Sequence, residues 1–175
     1  MAVKMLSDAN RKLVYVPTLA DYHKPTVAEL EAGIDISCLV TAADFTLGST
    51  GDDDIDDPAL CASTNSTAPG RSNYEASMNF FRYIDGKDDK PWTTFTRKGL
   101  PGYLVQRIGR GAKPVEDESV KPFEQPWAEG DEVQVYQVMT STPQILSPEG
   151  GGFEKFAMNF RVQDQVDERA KVAAG

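Results

Sequence analysis

Between Asn73 and Tyr83 the side chains alternate in character: Tyr74, Ala76, Met78 and Phe80 point one way, Glu75, Ser77 and Asn79 the other. A period of two over this length is the pattern of a strand with one buried face. The period then changes. Asp85, Asp88 and Asp89 stand where a helix start wants a capping acceptor or a negative charge. Pro91 suits the first turn, Trp92 and Phe95 lie three apart on one helical face, and Gly99 ends the turn. The chain is extended again through Tyr103–Arg107. A helix of about two turns is unstable alone, so Trp92 and Phe95 must pack on a sheet. The expected product is a mainly β domain with a short helix laid against it.

The rest of the chain fits that class. Lys12–Val16 is a short β-prone run stopped by Pro17. Thr26 with Glu29 three residues on forms a capping box, which predicts a short helix that Gly33 terminates. Ile34–Val40 alternates and then loses its period, as a strand with a bend or bulge would, and Phe45–Leu47 is expected to continue it on the same sheet. Leu60–Thr67 is small and polar, compatible with a strand that has one exposed face. In Asp131–Thr140 the apolar positions slip from Val133 and Val135 to Tyr136 and Val138, which suggests a bulge near Tyr136. Lys155–Val162 is the cleanest alternation, with Phe156, Met158, Phe160 and Val162 on one side. We expect Phe156, Met158 and Phe160 to share one core face with Tyr74, Met78, Phe80, Trp92 and Phe95. Met1–Asn10 and Asp164–Gly175 read as polar arms on a single domain, residues 1–175. Gly109–Gly130 is the longest irregular stretch. Phe123 and Trp127 within it are unfavourable against water alone, so they are expected to pack on the body or on another subunit.

Five aspartates, Asp52, Asp53, Asp54, Asp56 and Asp57, crowd into six residues broken only by Ile55. An EF-hand loop needs alternating acidic ligands, a central Gly and a closing Glu. The closing Glu is missing, and a solvated, self-repelling loop tip is the expectation. Cys38 and Cys61 with one histidine, His23, do not make a zinc site. Buried or half-buried free thiols are the expectation for this pair, the default wherever a reducing compartment keeps cysteines unpaired. No nucleophile elbow, phosphate-binding glycine loop, metalloprotease helix or CxxC motif occurs, so no enzyme, cofactor or metal is expected. The net charge of −9 argues against a DNA-gripping role, which needs a basic face. Near Met1 nothing joins a basic start to an apolar core and a small-residue cleavage site, and no apolar run approaches membrane-spanning length. The expectation is a soluble chain without a Sec-export signal or a membrane partner.

Three segments carry a family resemblance: PTVAELEAGIDIS from Pro25, SNYEASMNFFRYIDGKDDKPWTTFTRKGLPGYLVQRIG from Ser72 and FEKFAMNFRV from Phe153. In that order they resemble major tail proteins, the tail tube subunits of long-tailed (siphovirus-type) phages of actinobacteria, over roughly Arg11 to Val166. The resemblance implies a β-sandwich or partly closed antiparallel barrel with a flanking helix. It further implies a virion protein, assembled in the host cytoplasm, whose hexameric rings stack into a hollow tube. DNA would pass through the lumen without specific binding, and a tape measure protein and a tail terminator would be partners. In such subunits a long loop between early strands reaches the adjacent ring. The acidic run is the best-placed candidate, with Arg107, Arg110 and Lys113 the nearest basic group to receive it. The alternative is an immunoglobulin-like virion decoration or host-adhesion module. The helix between strands counts against it, since such a sandwich needs about seven short strands joined by turns.

Overall fold

The computed structural model describes every residue, Met1–Gly175. Its frame is one antiparallel sheet of eight strands. These are β1 (Arg11–Val16), β2 (Ile34–Asp35), β3 (Thr46–Ile55), β4 (Ala68–Phe81), β5 (Pro101–Ile108), β6 (Glu132–Thr140), β7 (Gln144–Ile145) and β8 (Lys155–Lys171). They lie in the order β2-β1-β5-β6-β8-β4-β3, with β7 paired to the start of β8. Two short helices, α1 (Val27–Ala32) and α2 (Lys90–Thr94), flank the sheet. It is not a closed barrel, because the path ends at β2 and β3. It curls nonetheless: side chains of β1, β5 and β6 meet those of β4 and β8 in one cluster. The stretch after β2 spans the gap between the margins, where Val40 bridges to Phe80.

The core has two parts, one on each face. Leu13 and Tyr15, Leu104, Tyr136 and Val138 pack inward with Met78, Phe80, Phe95, Phe156, Met158 and Phe160. On the outer face Val14, Val16, Val105, Val133 and Val135 are covered by Leu30 of α1, by Trp127 and by Ala170 and Val172. Strands β1 and β6 are therefore apolar on both sides. That double burial is the reason for the slip in β6, and it replaces the expected bulge in that strand. Register breaks do fall at Val133/Val135 and Tyr136/Val138, but the extra residues belong to β8, whose partners step from Ala170 to Asp167 and from Val166 to Val162.

Helix α1 starts as its capping box requires. The Thr26 hydroxyl accepts from the Glu29 N–H at 3.3 Å, and the Glu29 carboxylate accepts from the Thr26 N–H at 2.9 Å. Helix α2 is shorter than expected, Lys90–Thr94, with Phe95 as its C-cap and not Gly99. Asp89 occupies its N-cap position without capping it, because its carboxylate instead takes the Arg82 Nε–H at 2.9 Å.

Four further expectations are corrected. Ile34–Val40 is not one strand: after Asp35 the chain turns, since the Asp35 carboxylate accepts from the Ser37 N–H and hydroxyl at 2.9 and 2.6 Å. Phe45–Leu47 does not continue it but leads into β3, at the far margin of the same sheet. Leu60–Thr67 is loop, and β4 begins only at Ala68. Asp164–Gly175 is no polar arm. Strand β8 runs to Lys171, Ala170 and Val172 are buried, and the Ala173 N–H bonds the Pro25 carbonyl at 2.9 Å.

Candidate functional site

The candidate features of this molecule lie on its surface and at its two ends. Antiparallel pairing sets the direction of each strand. The N-terminal end of β4 shares one end of the sheet with the C-terminal ends of β5 and β8. The C-terminal end of β4, helix α2 and the start of β5 share the other.

At the first end β3 and β4 leave the sheet as a hairpin. β4 pairs with β8 only from Ala76 to Phe81, while its pairing with β3 runs on to Ala68. Ser49–Ile55 is exposed throughout. The acidic run is therefore not a loop tip alone: Asp52, Asp53 and Asp54 lie within β3, and only Asp56 and Asp57 lie in the loop beyond. The strand form is reached through two register breaks, at Ser49/Gly51 and Asp52/Asp54. Gly51 sits at φ 118°, a conformation that suits glycine. The Asp53 carboxylate is held by the Asn73 side-chain amide at 2.7 Å. A two-stranded ribbon with both faces in water is marginal by itself.

The three basic candidates are also at this end. Arg107 is buried, 1% exposed, and is not a surface contact. Its guanidinium donates to Asp131 at 2.8 Å and to the carbonyls of Pro126, Pro122 and Gln125 at 3.0, 2.8 and 2.7 Å. The Trp127 ring lies 5.2 Å from it. Asp131 in turn accepts from the Ala112 and Ala128 N–H groups at 2.6 and 3.1 Å. A Cβ on Gly111 would stand 2.7 Å from Asp131 Oδ1, so only glycine lets the chain pass. This network holds the long Gly109–Gly130 stretch, and Trp127 packs on its own subunit. Arg110 and Lys113 are exposed, although Arg110 donates to the Val120 carbonyl at 2.7 Å.

The core candidates sit as a group. Met78, Phe80, Phe95, Phe156, Met158 and Phe160 are buried, with Tyr74 and Trp92 half-buried against them. Phe80 stacks on Phe156 at 5.3 Å, Phe95 meets Phe160 edge-on at 5.2 Å, and Trp92 meets Phe156 at 5.1 Å. Tyr136 closes the cluster toward the hairpin. Its hydroxyl donates to Glu168 at 3.2 Å, and burial, with the Glu168 charge second, pushes its pKa up.

The opposite end carries a second charged surface that sequence reasoning did not single out. Lys87, Lys90, Arg97 and Lys98 are all exposed there, beside exposed Ile84 and Phe153. The adjacent pair Arg97–Lys98 was the visible signal, but only strand directions show that these residues gather at one end. Strand edges are also open. β3 ends the sheet, and from Arg161 to Lys171 β8 pairs with β6 alone. No group of three or more His, Cys, Asp or Glu side chains stands ready to hold a metal ion. His23 Nδ1 lies 2.6 Å from Asp167. Cys38 and Cys61 are free thiols but exposed, not buried or half-buried as expected, because both lie in turns and loops outside the two core clusters.

Residues 1–175 match a family model described as phage tail tube protein. No curated protein matches the chain in sequence. Among solved structures it is similar to a chain of the anti-feeding prophage (AFP) baseplate, solved by cryo-EM with 6-fold symmetry: 10% identity, TM-score 0.54, covering 95% of this chain and 96% of that one. It is also similar to the SPP1 tail tube protein, from solid-state NMR and cryo-EM: 12% identity, TM-score 0.53, covering 97% and 81%. At these identities the likeness is one of fold, a mainly antiparallel sheet with few short helices.

Proposed function

The chain belongs to the phage tail tube protein family, and from that premise we propose that six copies form a ring, that rings stack into a tail tube of siphovirus type, and that DNA crosses its lumen into an actinobacterial host. Proteins of this family are structural and not enzymatic, and this one is a component of the phage tail. The observation that carries the reading is the family match across the full length.

The surface supports it physically. An open strand edge presents unpaired N–H and C=O groups, a template for another chain. In a ring each edge is capped by its neighbour, and closed symmetry uses up all of them. The net charge of −9 suits a channel that passes DNA without holding it, because a negative wall repels phosphates. The acidic hairpin, Asp52, Asp53, Asp54, Asp56 and Asp57, is the proposed inter-ring contact. A tape measure protein and a tail terminator are the partners that the family resemblance adds. The reading as an adhesion module draws no support from a family match that spans the chain.

Electron microscopy of the purified protein, at rising concentration, tests the proposal. Six-fold rings and tubes are the expected particles. A chain that stays monomeric by light scattering at all concentrations and binds a glycan saturably would overturn it.

A further inference from the structure

We propose that the end of the molecule formed by Tyr83–Lys98 and Phe153 is the docking surface for the acidic β3–β4 hairpin of a second copy. The inference rests on the stacked-ring reading, in that the second copy sits in the next ring.

Strand β4 joins the two surfaces. It runs from Ala68, beside the acidic tip, to Phe81, beside the basic turn. Its 14 residues span roughly 45 Å at about 3.3 Å each. Within one copy the two surfaces cannot meet, so each lacks a partner in the subunit.

Their chemistry is complementary in two ways. The hairpin and its loop carry Asp52, Asp53, Asp54, Asp56 and Asp57 around two exposed apolar side chains, Ile55 and Leu60, with Arg71 the sole basic residue. The receiving end has the reverse arrangement. Ile84 and Phe153 are exposed. Phe153 stands edge-on to Phe81 at 6.1 Å, and the Arg82 N–H bonds the Glu154 carbonyl at 2.9 Å, which brings Tyr83 alongside Phe153. Lys87, Lys90, Arg97 and Lys98 surround them, and none of the four is in a salt bridge. Asp85, Asp88 and Asp89 also lie here; Asp89 is paired with Arg82 at 2.9 Å, and the Asp85 carboxylate accepts from the Lys87 N–H at 2.9 Å but keeps its charge, as does Asp88. Tyr83–Lys98 thus carries a net charge of +1, four basic residues against three acidic, on a chain of −9. Arg110 and Lys113, by contrast, share the hairpin's own end and would face the same way as the aspartates. A contact between different surfaces of identical copies is heterologous, and repetition gives an open stack. One exposed ion pair contributes little; repeated around a ring, the set acts together with the apolar contact.

Charge reversal tests this. One variant carries K87E, K90E, R97E and K98E, the other D52K, D53K, D54K, D56K and D57K. Each alone is expected to form rings that fail to sediment as tubes. Mixed in equal amounts they should form tubes again, since each hairpin then meets an end of opposite charge in alternating rings. Wild-type tube formation by either variant alone, or no tubes from the mixture, would overturn the contact. Single-cysteine copies, D54C and K87C in a C38S/C61S background, should give a disulfide-linked heterodimer on mixing and oxidation, while D54C with K113C should not. If the wild-type protein forms neither rings nor tubes, the tube reading fails, and the presence or absence of that heterodimer still decides the contact.

Discussion

Phe160 shows how much one side chain carries here. It is 4% exposed, opposite Ala76 on β4 and edge-on to Phe95, so it ties β8, β4 and the end of α2 together. Phe160→Ala should cost about 3–5 kcal/mol, the usual penalty for deleting a buried aromatic. Urea unfolding of the variant measures this, and a change below about 1 kcal/mol would mean the side chain faces elsewhere. Tyr136 makes a prediction about pH. Burial first, and then the Glu168 charge, raise its pKa above the ordinary 10.0. The folded protein therefore keeps the phenol proton where the unfolded chain releases it. The resulting stability is fully present below pH 10.0 and is lost as pH rises beyond it. Tyr136→Phe cannot titrate, so its stability should fall less steeply between about pH 9 and pH 11. Some alkaline loss will remain, because burial also raises the pKa of Tyr15. Equal slopes for the two proteins would show that the phenol is not a linked group.

At the scale of elements, the Gly109–Gly130 stretch has no regular structure to hold it and depends on Arg107. Arg107→Ala would strip Asp131 of its cation while leaving it buried, and breaking such a pair costs about 3–5 kcal/mol. Hydrogen exchange should show the stretch opening before the sheet. Arg107→Lys should not rescue it, because one ammonium cannot replace a planar fork shared among Asp131 and three carbonyls. Retained protection in either variant would show that Trp127 packing alone secures the segment. The elements that were legible in the sequence had local causes. In β4 and the start of β8 one face is buried, so the period of two survives. In α1 the capping box closes within four residues. The elements that were not legible depend on distant partners. β6 is buried on both sides and shows no clean alternation. The acidic part of β3 has no buried face at all, so only its ladder to β4 makes it a strand. The end of β8 is polar in sequence but is anchored by Ala170, Val172 and the Thr26–Ala173 bridge. Arg107 looked like one of three loop charges, and only the fold shows that it points, with Val105, beneath the loop.

For the whole molecule the question is whether the five hairpin aspartates act on folding or on assembly. None of them touches either core cluster, and beyond Leu47 and Tyr74 the hairpin adds nothing to the buried core. Asp52, Asp53, Asp54, Asp56 and Asp57 changed together to Asn should leave the subunit folded, since surface substitutions away from special features stay within about 0.5 kcal/mol. The one contact at risk is the Asn73 amide on Asp53, and an Asn side-chain oxygen can still accept it. Removal of mutual repulsion would even favour the isolated hairpin. Assembly should respond in the opposite sense. If the aspartates meet basic groups of the next ring, the substituted protein should still form rings but stack poorly. Wild-type tubes should then shorten as salt rises from about 0.15 M to 1 M, because the screening length falls from about 8 Å to about 3 Å. Sedimentation of tubes against salt, for both proteins, separates the possibilities. Stronger stacking in the Asn variant would mean that repulsion among hairpins dominates and that the aspartates limit tube growth. A melting temperature raised by micromolar calcium, and not raised in the variant, would make the run a metal site, and the stacking account would fail. Weakened stacking with unchanged melting is the outcome that places the acidic run in the joint between rings.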